Sequence, residues 1–133
     1  MKKVIVFVCT HNSCRSIMAE GMMKHLGEDL FEVYSAGTEA YLKPKLMAIE
    51  VMEDIGIDMS QARCKLLDEV PKKLDILITM GCGVECPYVP TKLREDWGLD
   101  DPSGGPKVDF IYTRDVIQDK VLDLIQRVKN EEL

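Results

Sequence analysis

Cys9, Arg15 and Ser16 are spaced to do chemistry on an anion. They lie in Cys9-Thr10-His11-Asn12-Ser13-Cys14-Arg15-Ser16, between an apolar run, Val4 to Val8, and an apolar-periodic segment, Ile17 to Leu26. The run reads as a buried strand and the segment as a helix. A strand-to-helix turn can converge its backbone N–H groups on one point. The new helix aims its own free N–H groups and positive dipole end at the same point. Thr10, His11, Asn12, Ser13, Cys14 and Arg15 would line that anion site. Cys9 lies at its base, and the Arg15 guanidinium is a planar fork suited to a tetrahedral oxyanion. Helix end and guanidinium both favour the charged, nucleophilic form of the Cys9 sulfur. A lone cysteine after a strand is usually a buried structural thiol. The accompanying arginine, serine and helix start argue for a reactive one. The loop has no glycine, so Asn12 is expected in the left-handed position. His11 could serve as a base, but reads better as a loop surface residue.

The rest of the chain supplies the elements that must position this loop. Gly27 is expected to cap the first helix, on which Glu20 and Lys24 form an i,i+4 pair. Phe31 to Ser35 alternates like a strand and ends at Gly37. Pro44 suits the first turn of a second helix, with Leu46, Ile49, Met52 and Ile55 as its buried face and Gly56 as its cap. Ile57 to Lys65 reads as loop, holding Cys64 as a structural thiol. Leu66 to Lys73 reads as a short helix or turn. Leu74 to Met80 is a buried strand, Gly81 to Pro90 a loop, and Lys92 to Trp97 a short edge strand. After a loop from Asp100 to Lys107, a long helix runs from Val108 to about Glu131. Its expected core stripe is Ile111, Ile117, Val121, Leu124, Ile125 and Val128. Strands alternating with helices predict an α/β fold: a single domain over residues 1–133, with a four-stranded parallel sheet flanked by helices on both faces. Ligands of such sheets bind at the carboxyl ends of the strands. That edge would gather the loops 9–16, 81–90 and 99–106.

The bulk composition narrows the function classes. A chain of 133 residues with 46% hydrophobic and 30% charged residues is an ordinary globular domain. The net charge of −6 argues against a nucleic-acid partner. It also means that an anion must be held by a local site. No apolar run approaches a membrane span. The N-terminal run lacks a small-residue cleavage site, which reads against a signal peptide. Five cysteines, an odd number without a framework spacing, read as free thiols of a cytoplasmic protein.

The Cys-x5-Arg-Ser pattern after a first strand resembles the low-molecular-weight protein tyrosine phosphatase superfamily. Within it, the chain is most similar to the thioredoxin-coupled arsenate reductases. Further landmarks are Tyr34-Ser35-Ala36-Gly37, Gly56-Ile57-Asp58 and Trp97-Gly98-Leu99-Asp100-Asp101-Pro102. The resemblance implies Cys9 as nucleophile, Ser16 as support for its thiolate, and Asn12 as the brace of the loop. The position of His11 is often glycine in that family. Cys14 packs beneath the site. Asp101, before Pro102, matches the general acid, whose pKa a neighbouring anion would raise. Asp100 is its structural alternative.

Cys82 and Cys86 separate the enzyme readings. A phosphatase needs no further cysteine, whereas a reductase must take two electrons from thiols. The resemblance implies that Cys82 attacks Cys9 and that Cys86 then takes over the disulfide for thioredoxin to reduce. The family's spacing is longer, yet residues four apart in a helical turn have Cα atoms about 6 Å apart, within disulfide range. A zinc site built on these thiols is disfavoured by Arg15, so no metal and no cofactor is expected. Some of these reductases bind potassium through an asparagine, a glutamate, a serine and an aspartate. The first three match Asn12, Glu20 and Ser35, while the aspartate position holds Lys65. Its ammonium would occupy the cation site; a solvated surface lysine is the alternative. The expected substrate is arsenate, with phosphate or sulfate competing, and the expected state is a monomer. The rivals are a tyrosine phosphatase using Cys9, Arg15 and Asp101, and a non-enzymatic redox sensor. Ser103-Gly104 stands against the phosphatase, which typically carries aromatic residues there.

Overall fold

A computed structural model describes residues 2–10, 14–39, 43–81 and 90–130. Its elements are β1 (Lys3–Cys9), α1 (Arg15–Gly27), β2 (Phe31–Gly37), α2 (Leu46–Glu53), β3 (Leu74–Thr79), β4 (Thr91–Asp96) and α3 (Lys107–Lys129), with a 3-10 turn at Leu67–Glu69. The four strands form one sheet in the order β2-β1-β3-β4, and all three pairings are parallel. The central strands β1 and β3 carry continuous apolar runs because both of their faces are covered. The edge strand β4 half-buries Thr91, Leu93 and Glu95 and turns Lys92, Arg94 and Asp96 to solvent. Such charges blunt an exposed edge.

The strand ends are level. Cys9 pairs with Gly37, Val8 with Thr79, and Thr79 with Asp96. The residues that follow β1, β3 and β4 therefore leave the sheet side by side, as the α/β pattern predicts.

One face of the sheet, with Ile5, Phe7 and Cys9, packs against α1 and α3, and α2 packs on both helices. The helix α1 is buried nearly all round, Arg15, Ser16 and Glu20 included, because the sheet and two helices enclose it. On the other face Val6, Val8 and Leu77 pack with Val70, Leu74 and Leu67. Among the described residues a 3-10 turn, and no α-helix, covers this side. The segment expected as a short helix or turn after Leu66 is that turn.

Three local readings change. Gly27 is the last residue of α1, and Glu28, in ordinary helical conformation, caps it. A Cβ on Gly27 would meet the Met23 sulfur at 2.9 Å and Ile125 Cδ1 at 3.1 Å. The glycine thus permits close approach of α3, and Gly56, at φ +83°, is the one that turns the chain after α2. On α2 the buried face is Ala48, Val51 and Met52. Leu46 is 72% exposed and Ile55, beyond the helix end, 39%. The small Ala48 lets the helix lie close, which rotates the larger apolar residues outward. On α3 Phe110, Thr113, Ile117, Val121, Leu124 and Ile125 are buried, while Ile111 and Val128 are half-buried at the margin.

This assignment has a direct consequence for stability. Met52→Ala should cost about 2–4 kcal/mol through the cavity it leaves, whereas Leu46→Ala should shift stability by less than about 0.5 kcal/mol. Urea unfolding of both variants measures this, and a Leu46→Ala cost as large as that of Met52→Ala would restore the face expected from the apolar spacing.

Candidate active site

The carboxyl edge of the sheet brings Cys9, Arg15, Ser16 and the Asp101 turn together. Cys9 ends β1 and is buried with its sulfur 2.9 Å from Ser16 Oγ in the first turn of α1. Thr10 offers its carbonyl to the Glu39 backbone N–H at 2.8 Å, and the Cys9 carbonyl accepts from the Thr38 N–H at 3.3 Å. These bonds pin the start of the loop to the chain leaving β2. His11, Asn12 and Ser13, expected in the anion loop, and Cys82 and Cys86, expected in the relay, lie outside the described residues.

Arg15 is the first residue of α1 and is buried. Its Nη1 donates to the Met80 carbonyl at 2.6 Å and to the Leu99 carbonyl at 2.8 Å. The guanidinium therefore spans the two turns that follow β3 and β4. With Nη1 occupied, the fork available to an oxyanion is the one formed by Nε and Nη2.

Cys14 is the N-cap of α1, and its carbonyl accepts the Met18 N–H at 2.9 Å. Burial pushes its thiol up to about 12, with Asp101 and Cys9 adding to the rise, while Arg15 and the Ser103 side chain oppose it. Cys14 is thus a protonated packing residue at neutral pH. Its contact with Ser103 also joins the loop before α1 to the turn after β4.

Asp101 lies in that turn, with Oδ1 accepting the Ser103 N–H at 3.0 Å, the ordinary way an aspartate closes a turn two residues on. Burial pushes its carboxyl up, but the Ser103 N–H, the Ser103 hydroxyl, Arg15 and Lys45 together hold it below the usual carboxylate range. The sequence reading expects a raised value next to an anion. The turn bonds and the guanidinium outweigh burial in this structure. Asp100 is exposed, as is Asp101, and among the described hydrogen bonds only Asp101 closes the turn.

Further along α1 is a second buried charge. Glu20 is buried on α1 and accepts the Ser35 hydroxyl at 2.6 Å. Lys65 Nζ lies 3.4 Å from Glu20 Oε1 and donates to the Arg63 carbonyl at 3.0 Å, while Lys24 approaches Glu20 Oε2 at 3.3 Å. The Lys65 side chain is only 13% exposed, which excludes the solvated surface reading. An ammonium seated against Glu20 beside Ser35 leaves these residues a poor fit for potassium.

Sequence reasoning missed the backbone carbonyls of Met80 and Leu99, Ser103, and Asp96. Asp96 Oδ1 accepts from the Thr79 hydroxyl at 3.1 Å, the Gly81 N–H at 2.8 Å and the Gly98 N–H at 3.2 Å. An aspartate followed by Trp-Gly at a strand end was the available signal.

A thiol at a parallel-sheet edge, with a helix start and an arginine over it, defines a cysteine-based oxyanion-handling class. Residues 4–133 match the low molecular weight phosphotyrosine protein phosphatase family, and the chain belongs to it. It is 44% identical over 122 residues to an arsenate reductase of Staphylococcus aureus (strain Newman), covering 88% of this chain and 92% of that protein. A solved arsenate reductase in the phosphate binding state superposes with a TM-score of 0.87 at 37% identity, covering 96% of this chain and 98% of the other. A thioredoxin-dependent arsenate reductase of Corynebacterium glutamicum gives 0.83 at 28% identity, covering 98% of this chain and 63% of that one.

Two outcomes test the electrostatics. The Asp101 carboxyl sits below its unfolded value, so its contribution to stability is present above the unfolded pKa, about 4. That contribution is lost as pH falls through the lower folded value. The difference in melting temperature between wild type and Asp101→Asn should therefore shrink between pH 5 and pH 2. For Lys65, replacing sodium by potassium should leave the wild-type melting temperature unchanged. Lys65→Met should cost about 3 kcal/mol by leaving Glu20 without this ammonium, which calorimetry would read.

Proposed function

We propose that this chain is an arsenate reductase whose covalent step occurs on Cys9. The observation that carries the reading is the convergence of Cys9, Arg15 and the Asp101 turn at one sheet edge. The arsenate reductases among its relatives support it. Arsenate binds over the start of α1, held by the loop N–H groups and by Nε and Nη2 of Arg15. The Cys9 thiolate, with Ser16 Oγ donating to it, attacks arsenic. An arsenate hydroxyl leaves as water after taking a proton from Asp101. The arriving anion raises the Asp101 carboxyl out of its low range, which makes it a competent acid.

The second stage belongs to the thiols. The Cys82 thiolate attacks the Cys9 sulfur, the sulfur–arsenic bond breaks, and its electron pair reduces arsenic(V) to arsenic(III). Arsenite departs and a Cys9–Cys82 disulfide remains. Cys86 then attacks Cys82, releasing Cys9 and leaving a Cys82–Cys86 disulfide. A dithiol protein of the thioredoxin type reduces it. Among the described residues no helix is long and apolar enough to cross a membrane, and Cys9, Cys14 and Cys64 are free thiols. A reducing cytoplasm suits both observations. Phosphate and sulfate share the geometry of arsenate and should compete for the loop. The phosphatase alternative uses the same Cys9, Arg15 and Asp101, with water attacking phosphorus in place of the relay.

A coupled assay with arsenate, thioredoxin and its reductase separates these paths. Cys9→Ser should abolish turnover. Arg15→Lys should lower it by about a hundredfold or more, since an ammonium cannot make the two-pronged contact. Cys82→Ser should stop arsenite production yet retain slow aryl phosphate hydrolysis. Cys86→Ser should stop after about one turnover with a Cys9–Cys82 disulfide, detectable by peptide mass spectrometry. Repeated arsenate turnover by Cys82→Ser would overturn the relay, and efficient phosphotyrosine hydrolysis by a wild type inert to arsenate would favour the phosphatase.

A further inference from the structure

The two turns that hold Arg15 are also held together from the solvent side. Asp96 ends β4 and is exposed, and its single oxygen Oδ1 accepts from Gly81 N, Gly98 N and Thr79 Oγ1. Gly81 directly follows Met80, and Gly98 directly precedes Leu99. Met80 and Leu99 are the residues whose carbonyls receive Arg15 Nη1. One oxygen of an exposed residue and one nitrogen of a buried residue thus bridge the same pair of turns.

The turns have little slack. Gly81 and Gly98 both have positive φ, +85° and +57°. A Cβ on Gly81 would lie 3.0 Å from the Leu99 carbonyl oxygen, so the two backbones meet without an intervening side chain. The Trp97 N–H donates to the Thr79 carbonyl at 2.8 Å, and its ring packs on Phe7 with centroids 5.5 Å apart. Strand β4 is therefore fixed up to Trp97, and the next two residues depend on the Asp96 carboxylate for their direction. That carboxylate stays ionised. Burial pushes it up, but the Gly98 N–H, the Thr79 hydroxyl and the Gly81 N–H hold it below the usual range.

We propose that Asp96 is a positioning residue for Arg15, setting through the 79–81 and 96–99 turns where the guanidinium meets a bound oxyanion. The proposal rests on the reading of the Cys9–Arg15 loop as an oxyanion site and does not require that arsenate be reduced. Without Oδ1 the Gly81 and Gly98 N–H groups turn to water, and the Met80 and Leu99 carbonyls are no longer held at one separation. The Nε–Nη2 fork then loses its aim, and small displacements at such a site are costly. An asparagine keeps an acceptor oxygen in the same place, so the role is one of geometry rather than charge.

The test measures how much inorganic phosphate half-protects Cys9 from iodoacetamide, read by peptide mass spectrometry, in wild type, Asp96→Ala, Asp96→Asn and Asp96→Glu. Thermal unfolding of each protein sets a temperature at which all are folded. Asp96→Ala should need about tenfold more phosphate, and Asp96→Asn should return to within about twofold of wild type. Asp96→Glu keeps the charge but moves the oxygen by one methylene, and should lose several-fold; it carries the test should Asp96→Ala not fold. A purely structural role would lower the melting temperature while leaving the phosphate requirement of the folded protein unchanged, and that result overturns the proposal. Failure of Asp96→Asn to restore protection overturns it also. If phosphate, arsenate and sulfate all fail to protect wild-type Cys9, the oxyanion-site reading itself falls and the proposal falls with it.

Discussion

The site depends on a buried arginine held by uncharged groups. Taking a guanidinium out of water is costly unless its donors find partners. Arg15 meets that demand at Nη1 with two carbonyl oxygens, from Met80 and Leu99. Those carbonyls exist as acceptors because β3 and β4 end level and their chains turn away together. The parallel register of the sheet is thus what makes the arginine possible at this depth. The same register sets Cys9 at the end of β1, one strand from Thr79, within reach of the first turn of α1.

A second buried charge shows another solution in the same helix. Glu20 lies one turn further along α1 and is met by Ser35, Lys65 and Lys24. Here full ionic pairing holds a buried carboxylate between α1, the end of β2 and the segment before the 3-10 turn. The Lys65 carbonyl also accepts the Gly37 N–H at 2.7 Å. The end of β2 and the buried Glu20 are therefore both held by one residue, Lys65.

How much of this the sequence discloses follows from the range of each interaction. The strands β1 and β3 are legible because burial on both faces leaves uninterrupted apolar runs. Cys9, Arg15 and Ser16 are legible because they fall within eight residues of each other, and their types suit one chemistry. The buried face of α2 is not, since apolar spacing favours Leu46 and Ile55, whereas packing against α1 and α3 selects the small Ala48. The charge state of Asp101 is hidden for a similar reason. The Asp-Pro-Ser order permits a turn, but only the fold forms the Ser103 bonds and brings Arg15 and Lys45 near, which together outweigh burial. Asp96 is the least legible, because two of its three partners are backbone N–H groups of separate turns, and the Trp-Gly that follows it is a weak local signal.

Two arginines of this protein show why the manner of holding Arg15 matters. Arg127, on α3, makes a two-pronged contact to Glu95 at 2.9 and 3.0 Å and a third to Asp123 at 2.9 Å. Its charge is used up in tying α3 to the edge strand. Arg15 is gripped at Nη1 by carbonyl dipoles, which orient the guanidinium without cancelling its charge. The carboxylate nearby is Asp101, held low first by the Ser103 N–H and hydroxyl and then by the Arg15 and Lys45 charges. An oxyanion entering beside Arg15 takes over as its counter-ion. It also places negative charge next to Asp101, so the carboxyl loses a stabilising cation and gains a repelling anion at once. Both changes favour the protonated acid. In the proposed cycle, substrate binding therefore prepares its own proton donor, and the coupling works because the backbone, rather than an acidic side chain, fixes the arginine.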